Sequence, residues 1–221
     1  MIAKPKRGNS WFMALLSVAA IAVWAYQETQ QTAQTRSSGP AEKRSGQAGA
    51  YEIHRNCILV EARNNDGDSF IVRLPTGKQA EFRLYFVDTP ESAFKSYRGG
   101  ETNHERIRQQ AADMGGITPE LAVEIGKKAK SFSLGLLASR PFDIYTRWDS
   151  PFGDDRFHAF VEVKQAGKPR FLSELLVERG FARIKTKPAD LPDGTPAAKQ
   201  LAHLKALERD AKRAASGVWS F

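Results

Sequence analysis

Residues 66–91 constrain the fold more than any other part of the chain. Apolar residues alternate with polar ones on both sides of residues 75–78, which have the composition of a tight turn. The spacing predicts two antiparallel strands with one buried face, and pairing across the turn brings the start of the first strand to the end of the second. The alternating apolar residues are Phe70, Val72 and Leu74 before the turn and Phe82, Leu84 and Phe86 after it.

Acidic residues stand at both ends of this predicted hairpin, with an arginine between them. Asp68 opens the first strand, whereas Asp88 and Glu91 follow the second. Arg83 has the opposite parity to its apolar neighbours, so we expect it to point away from the buried face. Converging carboxylates suit a hard divalent cation, and a guanidinium group suits a phosphate. The alternative is an ordinary Asp-Gly turn in which Arg83 pairs with a nearby carboxylate.

Two motifs in this stretch resemble the active-site hairpin of the thermonuclease family, the staphylococcal-nuclease-like phosphodiesterases. They are DGDS at residues 66–69 and FRLYFVDTPE at residues 82–91. The resemblance covers residues 56–220 and ends in GVWS at residues 217–220. It implies an α+β, mainly β fold, in which a five-stranded β-barrel of the OB type carries about three helices.

The resemblance also implies a calcium site. Asp68 and Asp88 match the carboxylates that bind Ca²⁺ in the family, and Thr89 matches the residue whose backbone carbonyl joins them. Oxygen ligands of this kind are the ones that Ca²⁺ prefers.

Three further residues match catalytic positions of the family. Glu91 matches the glutamate that activates the attacking water, and Arg83 and Arg156 match the two arginines that bind the phosphate. Guanidinium groups suit this role because charge accumulates on the phosphate oxygens in the transition state. The resemblance therefore implies a monomeric, calcium-dependent nuclease that cleaves DNA and RNA and leaves 3′-phosphates. The alternative, from another functional class, is a catalytically silent nucleic-acid-binding barrel.

The sequence departs from the family pattern in two respects. Asp154 and Thr186 stand where well-studied members have tyrosines that hold the substrate phosphate. Residues 92–117 form a longer segment than the family pattern has, with arginines and with glycine pairs at 99–100 and 115–116. We expect this segment to be a mobile flap over the active site, and the alternative is a surface insertion without a catalytic part.

The N-terminal part predicts export. Residues 1–26 combine Lys4, Lys6 and Arg7 with an apolar run, which is typical of a signal peptide or of an N-terminal membrane anchor. Residues 27–50 lack apolar periodicity and predict a flexible linker, so the nuclease domain is expected at 51–221. The protein would then be periplasmic, secreted or attached to the membrane. Its net charge of +8 is compatible with a polyanionic partner.

Overall fold

The computed structural model describes residues 45–150, 153 and 155–221. The segment predicted as a signal peptide or anchor at 1–26, most of the linker predicted at 27–50, and Asp154 lie outside these residues. Within the described ranges, no helix is both long and apolar enough to cross a membrane.

The described chain contains nine strands and four α-helices, and a 3₁₀ helix ends it at Gly217–Ser220. The strands are β1 (Ser45–Ala48), β2 (Tyr51–Leu59), β3 (Ser69–Arg73), β4 (Gln79–Leu84), β5 (Val87–Asp88), β6 (Phe142–Thr146), β7 (Arg156–Gln165), β8 (Lys168–Phe171) and β9 (Arg183–Ile184). The α-helices are α1 (His104–Asp113), α2 (Pro119–Ser139), α3 (Leu172–Glu178) and α4 (Ala197–Arg213).

Five of the strands close into a barrel in the order β2, β3, β4, β7, β6 and back to β2. The pairing of β4 with β7 is parallel and the other four pairings are antiparallel. The predicted α+β, mainly β class and its five-stranded barrel are therefore confirmed. The count of about three helices is corrected to four among the described residues.

Two features of the fold differ from the predictions, one at the N-terminal boundary and one in the number of helices. Backbone pairing of Ser45–Ala48 with β2 extends the folded part into the predicted linker, with Ser45 opposite His54. The fourth helix is α1, which lies inside the segment predicted to be a mobile flap. It is docked rather than hinged, because Ile107 and Ala111 form a small buried core with Ala122 and Val123 of α2.

The predicted hairpin is formed by β3 and β4. Phe70 pairs with Phe82 and Ser69 pairs with Arg83, so the apolar residues share one face. Phe70, Phe82 and Leu84 are fully buried in the barrel core, whereas the Arg83 side chain retains 12% exposure. The alternation of apolar and polar residues thus gives β4 one face that packs in the barrel core and an opposite face that carries Arg83.

Helix α2 fixes the loops at one end of this hairpin. Its first turn is capped by Thr118, whose hydroxyl accepts a hydrogen bond from the Leu121 amide at 3.2 Å, and Pro119 follows the cap. Further along, the Ser133 hydroxyl donates to the Gly67 carbonyl at 2.7 Å. The loop that carries Asp66 and Asp68 is thereby held against the barrel.

Candidate active site

Asp88 is the centre of the densest polar cluster that we find among the described residues. It follows β4 and lies in the short strand β5, which pairs with β9. Its Oδ1 accepts from Arg83 at 2.6 Å and from Arg106 at 2.8 Å. Its Oδ2 accepts from Arg183 at 2.8 Å and from the Gln110 amide at 3.0 Å. Four donors fill the four lone-pair directions of this carboxylate, whose side chain is only 3% exposed.

The charge of Asp88 is stabilised by its neighbours. Burial alone raises the pKa of a carboxyl group, but Arg106, Arg183 and the Gln110 amide outweigh it, and the pKa of Asp88 lies below its ordinary value. Asp68 has fewer compensating donors, because its Oδ2 accepts from Arg83 at 3.3 Å and from the Thr89 amide at 3.2 Å. Burial therefore raises the pKa of Asp68. The two predicted metal ligands are thus brought together through Arg83, in unequal electrostatic surroundings.

Glu91 is held in place by α1 and the loop before it. Its Oε1 accepts from Arg106 Nε at 2.9 Å, and its Oε2 receives longer contacts from Asn103 Nδ2 at 3.4 Å and Lys95 Nζ at 3.5 Å. Its backbone amide donates to the Gln110 side-chain oxygen at 3.0 Å. The carboxylate predicted to activate water is therefore oriented by the segment at 92–117, which is longer here than in the family pattern.

An open cavity of about 560 Å³ collects the predicted catalytic residues. Arg83, Glu91 and Arg156 all line it, as do the predicted metal ligands Asp68 and Thr89. Arg156 begins β7 and lies opposite Glu81 of β4 in the parallel register. Anionic and cationic side chains thus face the same space, which is suited to a phosphate group and to a polar nucleophile beside it. The remaining lining residues are Asn64, Asp66, Ser69, Glu81, Lys95, Tyr97 and Arg106.

The oxygen atoms that the resemblance assigns to Ca²⁺ have the right chemistry but do not fit the ion in this arrangement. Both oxygens of Asp88 are saturated by guanidinium and amide donors, and the Thr89 carbonyl accepts from Gln110 at 3.0 Å. Asp88 is also absent from the described residues that line the cavity. Over 45–150, 153 and 155–221, no group of three or more His, Cys, Asp or Glu side chains is arranged to hold a metal ion. A cation beside Asp88 would have to displace Arg106 and Gln110.

Three residues of this cluster were missed by the sequence analysis. Gln110 did have a signal, because it shares the apolar face of α1 with Ile107 and Ala111, where a buried amide needs polar partners. Asn103 precedes that helix and is buried against Ala93, to whose carbonyl it donates at 2.9 Å. Arg183 lies in β9 and gave no local signal, since its partners Asp88 and Asp113 are distant in the chain.

The sequence has Asp154 and Thr186 where the family pattern has tyrosines, and of these two residues the structure describes Thr186. Its hydroxyl donates to the Leu84 carbonyl at 3.0 Å and so ties the segment after β9 to the end of β4.

Neither comparison with known proteins assigns this chain to a family. No protein-family model matches it, and a search of curated proteins gives no match. The functional conclusion therefore depends on the geometry of the site and on the motif resemblance.

Proposed function

We propose that this chain is a nuclease that hydrolyses the phosphodiester bonds of DNA and RNA. The observation that carries the proposal is the shared cavity, where Arg83, Arg106 and Arg156 accompany the carboxylate of Glu91. A phosphodiester is anionic, and in its transition state more negative charge collects on the non-bridging phosphate oxygens. Guanidinium groups bind such oxygens through charge-assisted hydrogen bonds.

The chemistry assigns separate roles to these side chains. Arg83 and Arg156 bind the non-bridging oxygens of the phosphate and neutralise the charge that develops there. Glu91 takes a proton from a water molecule as the water oxygen forms its bond to phosphorus. As the bond from phosphorus to the leaving 5′-oxygen breaks, that oxygen takes up a proton from solvent and becomes a hydroxyl, and the phosphate stays on the 3′-oxygen, as the resemblance implies.

The surroundings of the cavity support a nucleic acid as the substrate. Tyr97 lines the cavity with 51% exposure, and an exposed aromatic ring can stack on a base. Lys95 also lines the cavity and adds positive charge there. Stacking and backbone charge both tolerate sequence variation, which suits an enzyme that accepts DNA and RNA.

We further propose that the barrel is an OB-fold of the staphylococcal-nuclease type. The strand order supports this, because β2 pairs with both β3 and β6, and α1 and α2 lie between β4 and β6. Export remains a proposal based on residues 1–26, which leave the chain either secreted, periplasmic or anchored at a membrane.

Cleavage by the full chain tests the proposed activity. We expect single-stranded DNA, RNA and duplex DNA to be cut in calcium or in chelator, with Arg83→Ala and Glu91→Gln each lowering the rate by about 100-fold or more. Arg209→Ala and Glu61→Gln are matched controls, since both residues are exposed and lie outside the cavity lining. Tight binding of these nucleic acids without cleavage in either buffer would instead identify the silent binding module.

A further inference from the structure

Arg106 reaches the site from α1 and bridges two carboxylates. Its Nη2 donates to Asp88 Oδ1 at 2.8 Å and its Nε donates to Glu91 Oε1 at 2.9 Å. Among the described residues, its remaining nitrogen, Nη1, has no protein acceptor. The side chain is 45% exposed and lines the cavity, so part of it is open to the space in which a phosphate would bind. Arg106 thus touches both the carboxylate cluster and the space assigned to the substrate.

Arg106 supplies the interactions that a metal ion would otherwise make at this site. A divalent cation that bridges carboxylates neutralises them and attracts the phosphate. Arg106 does both, and together with Arg83 and Arg183 it places three positive charges around Asp88. An added cation at Asp88 would meet three like charges at short range in a buried site, where such repulsion is strong. It would also leave the guanidinium of Arg106 without Asp88 as its partner.

Gln110 also contacts the oxygens that would bind a cation beside Asp88. Its amide nitrogen donates to Asp88 Oδ2 and to the Thr89 carbonyl, both at 3.0 Å, and it is fully buried. One side chain therefore contacts oxygens of two of the three residues that the resemblance assigns to Ca²⁺. Arg106 and Gln110 lie one helical turn apart, so α1 delivers both.

We propose that Arg106 takes the place of a divalent cation beside Asp88, so that this site binds and cleaves its phosphodiester without calcium. The inference rests on the proposed hydrolysis and replaces the calcium requirement that the motif resemblance implies. Arg106 is on this account a catalytic residue that contacts the phosphate, and Gln110 is a positioning residue that keeps Asp88 and Thr89 in place.

The experiment compares Arg106→Gln with Arg108→Gln in the full chain. Arg108 lies on the same helix, and its only ion-pair partner in the described part of the chain is the exposed Glu105, at 2.6 Å. Two quantities are measured: cleavage of a single-stranded DNA oligonucleotide in chelator and in calcium, and calcium affinity by isothermal titration calorimetry. Circular dichroism establishes that each variant is folded, and Arg106→Lys keeps the charge without the forked geometry.

We expect the unaltered protein and Arg108→Gln to cleave equally well in chelator and in calcium. Arg106→Gln should lose about 100-fold in chelator and bind calcium at least about 10-fold more tightly. Arg106→Lys should exclude calcium as the unaltered protein does, while keeping only part of the rate. Cleavage by the unaltered protein that stops in chelator and returns with calcium would overturn the proposal, as would equal calcium affinities of the unaltered protein and Arg106→Gln.

The two measurements separate this inference from the proposed function. Absence of cleavage by every variant in both buffers would refute the nuclease activity and with it the catalytic part of the inference. The titration still decides the remaining part, because tighter calcium binding by Arg106→Gln supports competition at Asp88 and unchanged binding excludes it.

Discussion

Gly126 lies where α2 passes the backbone that carries Glu91. A Cβ atom at this position would stand 2.4 Å from the Glu91 carbonyl oxygen and 2.6 Å from that of Pro90. These are backbone atoms, which cannot move aside as the end of a flexible side chain does. The glycine therefore sets how closely the predicted catalytic glutamate approaches the helix.

Gly126→Ala should displace residues 90–91 and lower both stability and activity. We expect the free energy of unfolding to fall by about 1 to 3 kcal/mol, as overpacking does, with a loss of cleavage rate as Glu91 shifts. Gly135→Ala on the same helix is the control, because nothing lies within 4 Å of its added Cβ. That variant should gain up to about 1 kcal/mol from helix propensity. Urea unfolding measures the stability of both variants, and equal changes in the free energy of unfolding would contradict the close approach of α2 to residues 90–91.

Residue-level roles were predictable where the pattern is local. The outward orientation of Arg83 was predictable from its parity in β4, because the residues before and after it, Phe82 and Leu84, are buried. The burial of Gln110 was predictable but its partner was not, and Arg183 was not predictable at all, since each meets Asp88 through a contact between distant parts of the chain. A sequence pattern identifies which face of an element is buried, but it does not identify which distant residue that face meets.

Helix α1 is a docked element that supports the site rather than a hinged cover. Ile107 is fully buried against α2, and Asp113 at the end of α1 accepts a hydrogen bond from Arg183. The glycines at 99–100 and 115–116 have positive φ angles, as tight turns at the ends of a fixed element require. The helix could be predicted from its flanking glycines, whereas its docking depends on the tertiary contacts with α2.

Ile107→Ala should loosen α1 without unfolding the barrel. Removing this buried side chain costs about 2 to 5 kcal/mol of local packing, since the contacts of α1 with α2 centre on it. Hydrogen exchange should become faster in α1 and stay unchanged in β3 and β4, and cleavage should fall as Glu91 loses its support. Ile58→Ala is the control, because that side chain is 53% exposed. Faster exchange across the whole barrel would show that α1 is not a separate unit.

Two buried histidines link the stability of the whole barrel to pH. His54 in β2 and His158 in β7 are almost fully buried, and His158 Nδ1 has no hydrogen-bond partner among the described residues. Burial lowers the pKa of both histidines, although Glu52 raises that of His54 and Asp149 raises that of His158 in opposition. A depressed histidine pKa means that the folded protein binds the proton less readily than the unfolded chain does.

The contribution of these two histidines to the free energy of unfolding should therefore fall as the pH drops. This contribution is fully retained above pH 6.5, the pKa of histidine in the unfolded chain. It is lost as the pH falls from there toward the lower pKa values of the two histidines in the folded protein. Urea unfolding at about pH 8, 6.5 and 5 measures the slope. His158→Gln should flatten it, whereas His203→Gln, at an exposed position, should not. An unchanged slope in His158→Gln would contradict this origin of the pH dependence.

At the scale of the whole molecule, the closed barrel was implied by the family resemblance, and its β3–β4 hairpin was predictable from the apolar alternation and the tight turn. Strand β1 was not, since its sequence SGQA offers no apolar alternation and its pairing with β2 is made by the backbone. The extent of the folded part was therefore underestimated at its N-terminal side.

The parallel pairing of β4 with β7 determines when the cavity can exist. Arg83 and Arg156 lie on these strands, and α1, α2 and β6 separate them along the chain. Contacts between segments so far apart form slowly, because loop closure costs entropy before strand pairing offsets it. A chain that crosses a membrane unfolded has no assembled cavity while it is still inside. In the proposed exported nuclease, activity should therefore appear only after β4 and β7 have paired.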